Sequence, residues 1–257
     1  MDIVTLPILA CLCLAAFLAG FVDAVAGGGG LVQLPALLML VPTAPIPMLF
    51  GTNKVSSICG TSVALFRYTR SVQIPWRQVL PGALLAFVAS ILGARALTIF
   101  PPHHLRPVIA ILFALVAVQT IRHHDMGTRE NRSDLRANAR LWLLVAFAAI
   151  GFYDGFFGPG TGQFLILAMV TLTGMTFLEA TASAKVINFS TNLAAVIYFA
   201  HRGDVLWTLA IPMAMSNVLG GWMGARAAIL KGNRFIRRVF LGMILALVLK
   251  LLWETFQ

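Results

Sequence analysis

The chain has 257 residues, of which 59% are hydrophobic and 11% charged, with a mean hydropathy of +0.88. So little polar surface cannot coat a soluble globule of this size, and the composition points to a polytopic membrane protein. The formal net charge of +10 would suit a nucleic-acid binder, but there is no RNP-like aromatic pattern, zinc spacing or basic recognition helix; the arginines fall in short loops between apolar spans, a positive-inside pattern.

The N-terminal run MDIVTLPILACLCLAAFLAGFVDAVAG imitates a signal peptide with an Ala-x-Ala ending before Gly27. It lacks a basic n-region and its apolar stretch is long, so it is expected to belong to the mature protein. Cys11 and Cys13, two apart, would face different sides of a helix and make poor metal ligands; with Cys59 they read as small membrane-core residues.

Apolar spans run at about 3–26, 31–41, 48–68, 79–98 and 105–121, and again at 141–157, 162–173, 180–200, 205–228 and 235–253. The second span of each set is too short to cross about 30 Å of hydrocarbon as a regular helix. Each set therefore predicts a helix that breaks at glycine, GGGG at 27–30 and GPGTG at 158–162, followed by a short helix that turns back.

The two sets are one motif written twice. A shift of 131 residues brings Gly20, Phe21, Asp23, Gly27 and Gly29 onto Gly151, Phe152, Asp154, Gly158 and Gly160, Lys54 onto Lys185, Trp76 onto Trp207, and GARA at 93–96 onto GARA at 224–227. If the broken pair goes in and returns, each half has odd parity and the halves are inverted. One side then collects thirteen Lys and Arg in its loops and the other four, whereas parallel halves would divide the same residues far more evenly. The positive-inside rule selects the inverted arrangement, with both termini outside the cytoplasm. The expected organisation is a first transmembrane repeat over 1–122, a basic cytoplasmic linker over 123–139 and a second repeat over 140–257. The fold class is all-α: two inverted repeats with Gly-broken helices, about eight full spans plus two short or re-entrant segments.

Inverted repeats with matching Gly/Pro interruptions are the sequence pointer to a secondary transporter whose site lies near the midplane. Backbone freed by a break must pack on protein or line a wet cavity, and the helix starting after it aims an N-terminal end that favours anions. Asp23 and Asp154 precede the breaks, and Lys54 and Lys185 sit in the following helices. Each costs about 2.5 to 3.5 kcal/mol at a helix centre on insertion scales, so none should face lipid. Lys54, Ser57 and Thr61 share one helical face, as do Lys185, Asn188 and Asn192. A plainer reading makes these charges structural pairs within each half, Asp23 with Lys54 and Asp154 with Lys185.

Other polar residues read as structural. Glu179 should cap a helix, Arg95 and Arg226 should snorkel, Trp76 and Trp207 suit the interfacial belt, and the five histidines are placed in loops without metal spacing. No metal or cofactor is expected.

The stretches GFVDAVAGGGGLVQLPALL, GTNKVSSICGTSVALFRYTR, GFYDGFFGPGTGQF, ASAKVINFSTNLAAVIYF and GGWMGARAA together resemble the sulfite exporter TauE/SafE family of bacterial membrane transporters, and within it the YfcA-like branch, over essentially the whole chain. The resemblance implies export of small anions such as sulfite or organosulfonates across the bacterial cytoplasmic membrane, using an ion gradient. The family's glycine breaks fall on 27–30 and 158–162, and its NK and AK helix motifs on Asn53, Lys54 and Lys185.

The expected translocation path comprises Lys54, Lys185, Asn53, Asn188, Asn192, Gly28, Gly29, Gly30, Gly160, Thr161 and Gly162, with Asp23 and Asp154 holding the lysines or relaying protons. The expected partners are a small anionic solute and the lipid bilayer, with homo-oligomerisation left open and nucleic acid excluded. An anion channel, or a transporter of an unrelated solute, is the rival reading. An enzyme is set aside because there is no nucleophile or metal motif and no histidine within a span to act as a base.

Overall fold

The computed structural model describes residues 5–101 and 137–255. The expected span at 105–121 and nearly all of the basic linker lie outside the described residues. The described part is all-helical, with eight helices and no strand: α1 (Leu6–Ala26), α2 (Gly30–Leu40), α3 (Ile46–Ser71), α4 (Trp76–Ile99), α5 (Ala137–Phe156), α6 (Thr161–Thr173), α7 (Phe177–His201) and α8 (Trp207–Thr255). Among them α1 and α4 are long and apolar enough to cross a membrane by length and composition, while α2 and α6 are short.

Local sequence sets the helix ends. Thr5 in extended backbone and a proline in the first turn start α1. Gly27 ends it in the left-handed region, φ 77°, donating its N–H to the Asp23 carbonyl at 2.9 Å. The second break uses two left-handed glycines, Gly158 at φ 91° and Gly160 at φ 81°. α7 opens with a capping box in which Glu179 and Thr176 satisfy each other's backbone N–H groups, as expected of Glu179. The spans placed at 205–228 and 235–253 follow one another within α8 as two helical stretches that meet at a kink at Gly232 (φ 65°, ψ −161°). One sequence expectation changes here. His201 is the exposed last residue of α7 and not a loop residue.

Packing repeats at the same 131-residue spacing as the sequence. α1 packs along α8, and α5, its counterpart in sequence, packs along α4. A Cβ on Gly224 would overlap the Phe21 carbonyl, and one on Gly93 would overlap the Phe152 carbonyl. The glycine of each GARA motif is thus where two helix backbones touch, as small residues allow in membrane bundles. The outward faces match too: Leu80, Leu84, Val88 and Leu92 stand exposed along α4, and Ile211, Met215, Leu219 and Met223 along α8. Such stripes would be unfavourable against water and suit lipid. Trp76 and Trp207, Arg95 and Arg226 are also outward and exposed.

Candidate functional site

The two helix breaks meet inside the bundle. The backbones of Gly27 and Gly162 are in such contact that a Cβ on Gly27 would come within 2.6 Å of Gly162 Cα, and a Cβ on Gly30 would lie 3.0 Å from Pro159 Cα. Hydrogen bonds tie off both breaks. The buried Tyr68 hydroxyl donates to the Ala24 carbonyl at 2.8 Å, and the Tyr153 hydroxyl to the Pro159 carbonyl at 2.6 Å, serving carbonyls that a helix end leaves without intrahelical partners.

The buried charges lie beside these breaks, paired across the halves. Lys54 Nζ on α3 lies 2.7 Å from Asp154 Oδ2 on α5. Lys185 Nζ on α7 lies 2.8 Å from Asp23 Oδ2 on α1 and also donates to the Asp23 backbone carbonyl. Thr61 adds a hydroxyl bond to the same carboxylate oxygen at 3.2 Å. The within-half pairing of Asp23 with Lys54 and Asp154 with Lys185 is therefore replaced by its cross-half alternative. Packing explains why: α1 lies against α8 and α5 against α4, which turns each aspartate toward the opposite half. Lys54, Lys185 and Asp154 are each about 2% exposed or less, and a buried charge without its partner would cost several kcal/mol.

Between the pairs is a cavity of about 20 Å³, space for about one water molecule. Asp23, Lys54, Asp154, Asn53, Asn188 and Asn192 all border it, with Gly29 and Gly30 from the start of α2 and Thr161 and Gly162 from the start of α6. Of the thirteen expected residues, Gly28, Gly160 and Lys185 do not line it. Asn53, Asn188 and Asn192 are buried, and none of their side-chain amides makes a hydrogen bond among the described residues.

Two residues escaped the sequence reading. Asn217, in the apolar run of α8, borders the cavity and donates from Nδ2 to Gln33 Oε1 at 2.8 Å. Gln33, fully buried in α2, also accepts from Ser56 at 3.3 Å and reaches the Asn53 carbonyl from Nε2 at 3.5 Å. This amide network joins α2 to α3 and α8. The available signal was an amide inside an apolar run, which is unfavourable in a membrane unless it is bonded.

An all-helical bundle whose broken helices gather buried charges around one small polar cavity keeps those charges away from lipid, as a membrane bundle must. Comparison with known proteins agrees. The family model described as "Sulfite exporter TauE/SafE" matches residues 12–251. The chain is 37% identical over 245 residues to the "Probable membrane transporter protein ORF9" of Sinorhizobium sp, covering 95% of this chain and 92% of that one. It is 33% identical to a "Probable membrane transporter protein" of Haemophilus influenzae, covering 97% and 96% of the two chains. It is 32% identical to the "Probable membrane transporter protein YfcA" of Escherichia coli strain K12, covering 93% and 88%. No solved structure matches the chain at a significant level. The match of the family model along nearly the whole chain places this multi-pass bacterial membrane protein in the TauE/SafE family.

Proposed function

We propose that the chain is a secondary transporter that exports small anions, such as sulfite or organosulfonates, across the bacterial cytoplasmic membrane at the expense of an ion gradient. The observation that carries this reading is the pair of reciprocal Lys–Asp contacts, one beside each helix break, around one cavity bordered by unbonded asparagine amides. Ammonium, amide and helix N-termini together are what an oxyanion needs. Two inverted repeats, eight full spans plus the short α2 and α6, both termini periplasmic and the basic linker cytoplasmic complete the proposal. It is supported by the loop-charge asymmetry and by contacts that recur at 131 residues. A cavity of about 20 Å³ argues for a gated carrier over an open channel, because a multi-atom anion enters only if its walls move.

The test is uptake of labelled sulfite and sulfoacetate into inside-out vesicles under imposed pH gradients of either sign, beside the Lys54→Ala/Lys185→Ala variant. Gradient-driven accumulation that the variant loses supports the proposal. Absence of transport of both anions by correctly folded protein would overturn it, and full transport by the variant would remove the lysines from the path.

A further inference from the structure

The two ion pairs correspond at the 131-residue spacing but are built differently. Resting on the anion-transport reading above, we propose that an incoming anion takes the place of Asp154 at Lys54, while Lys185 and Asp23 stay closed as a structural pair. Lys185 contacts both the carboxylate and the backbone carbonyl of Asp23, Thr61 bonds that same carboxylate, and Lys185 does not border the cavity. Lys54 and Asp154 both border it. Their contact is a single close approach, and Asp154 Oδ2 has no aligned hydrogen bond among the described residues.

The glycine breaks differ in the same sense. A Cβ on Gly27 would meet the Gly162 backbone, whereas one on Gly158 would press on the ion pair itself, 3.1 Å from Lys54 Nζ and 3.2 Å from the Asp154 carbonyl. A cavity of about 20 Å³ has no free place for an anion of several atoms. A carboxylate already sits at the one cation that borders this cavity among the described residues, with the amides of Asn53, Asn188 and Asn192 around it. Asp154 is thus a resident stand-in for the solute.

Charge balance then fixes a proton. The Lys54 ammonium and Asp154 carboxylate begin as a neutral pair. A monoanion that takes over the ammonium leaves the carboxylate without a cation. Among the described residues, Asp23 from α1, Lys54 from α3 and Asp154 from α5 are the titratable groups bordering the cavity; α2, α6, α7 and α8 border it with amide, hydroxyl and backbone groups. Lys185 on α7 is committed to Asp23, and Arg77 and Arg95 on α4 are exposed. The freed carboxylate takes one proton delivered from the bulk solution as hydronium, forming its O–H bond and leaving neutral water, so that one anion and one proton enter together and the cavity stays neutral. A monoanion therefore moves with a proton, and outward flux is fastest when the external face is alkaline.

The test uses the purified full chain in lipid nanodiscs, with methanesulfonate, a monoanion that does not titrate near neutral pH, and with sulfite. Proton uptake is read with a pH indicator in weak buffer. Binding of methanesulfonate by the wild type should take up about one proton per anion. Asp154→Asn should abolish that uptake and tighten anion binding about tenfold or more, having lost the competitor. Asp23→Asn should lower the unfolding temperature and tighten anion binding far less than Asp154→Asn does. Binding without proton uptake by the wild type, which needs no variant to fold, would overturn the inference alone, as would equal tightening in Asp23→Asn and Asp154→Asn. Failure of folded wild type to bind either anion would overturn the anion reading and this inference with it.

Discussion

Asp23 is bonded to Lys185, in the other half of the chain, and not to Lys54 in its own. The ion pairs therefore hold the halves together as well as neutralising buried charge. Breaking such a pair by removing one partner costs about 3 to 5 kcal/mol, whereas removing both is far milder. Asp23→Asn and Lys185→Met should each lower stability strongly, and the double variant should recover most of the loss in chemical denaturation. Combining Asp23→Asn with Lys54→Met should show no such recovery; equal recovery in both combinations would contradict the cross-half pairing.

Gly158 and Gly203 make a controlled comparison. Both have left-handed backbone, but a Cβ at Gly158 would press on Lys54 Nζ, and one at Gly203 would meet nothing within 4 Å. Each alanine variant should lose about 1 to 2 kcal/mol to backbone strain, seen as a lower unfolding temperature. Transport per folded molecule should fall in Gly158→Ala and stay at the wild-type level in Gly203→Ala.

Gln33→Leu should leave the Asn217 amide and the Ser56 hydroxyl buried without their acceptor, at a cost of about 1 to 3 kcal/mol. Gln33→Leu/Asn217→Leu should be more stable than Gln33→Leu alone, because one orphaned group goes with its partner. Thermal unfolding of the three proteins checks the order.

Arg70 and Arg202 test the arrangement of the proposed spans. Both are exposed, Arg202 at 47% while holding Asp204 at 2.9 Å, and the loop-charge count puts them on opposite sides. In a cysteine-free background, Arg70→Cys should react with an impermeant thiol reagent only in inside-out vesicles and Arg202→Cys only in right-side-out ones. Labelling of both from one side would refute the proposed topology.

Much of the architecture was legible because a membrane narrows what a helix can contain. Glycine runs and charges stood out against an apolar background, the 131-residue shift placed them in pairs, and Thr176 with Glu179 spelled a helix start. The partner choice of Asp23 was not legible: within-half and cross-half pairing leave the same residues at the same spacing, and only the packing of α1 on α8 and α5 on α4 decides. Asn217 and Gln33 were missed for a related reason. A search for recurrence favours residues with a counterpart, and at the shift of 131 these two fall opposite Ala86 and Phe164. The polar network they form joins the two halves and has no counterpart at that shift, so a search for recurrence passes over it.

The contact of Gly27 with Gly162, and of Gly30 with Pro159, puts the two interrupted helices back to back with no side chain between them. Neither short helix has slack of its own: a displacement of α2 pushes on the backbone that begins α6, and the reverse. On the proposed transport reading the breaks would move as one joint, and a solute displacing Asp154 at Lys54 would bear on the Asp23 side as well. In a carrier that must never open to both compartments at once, such a joint is a mechanical interlock, supplied by the absence of two methyl groups.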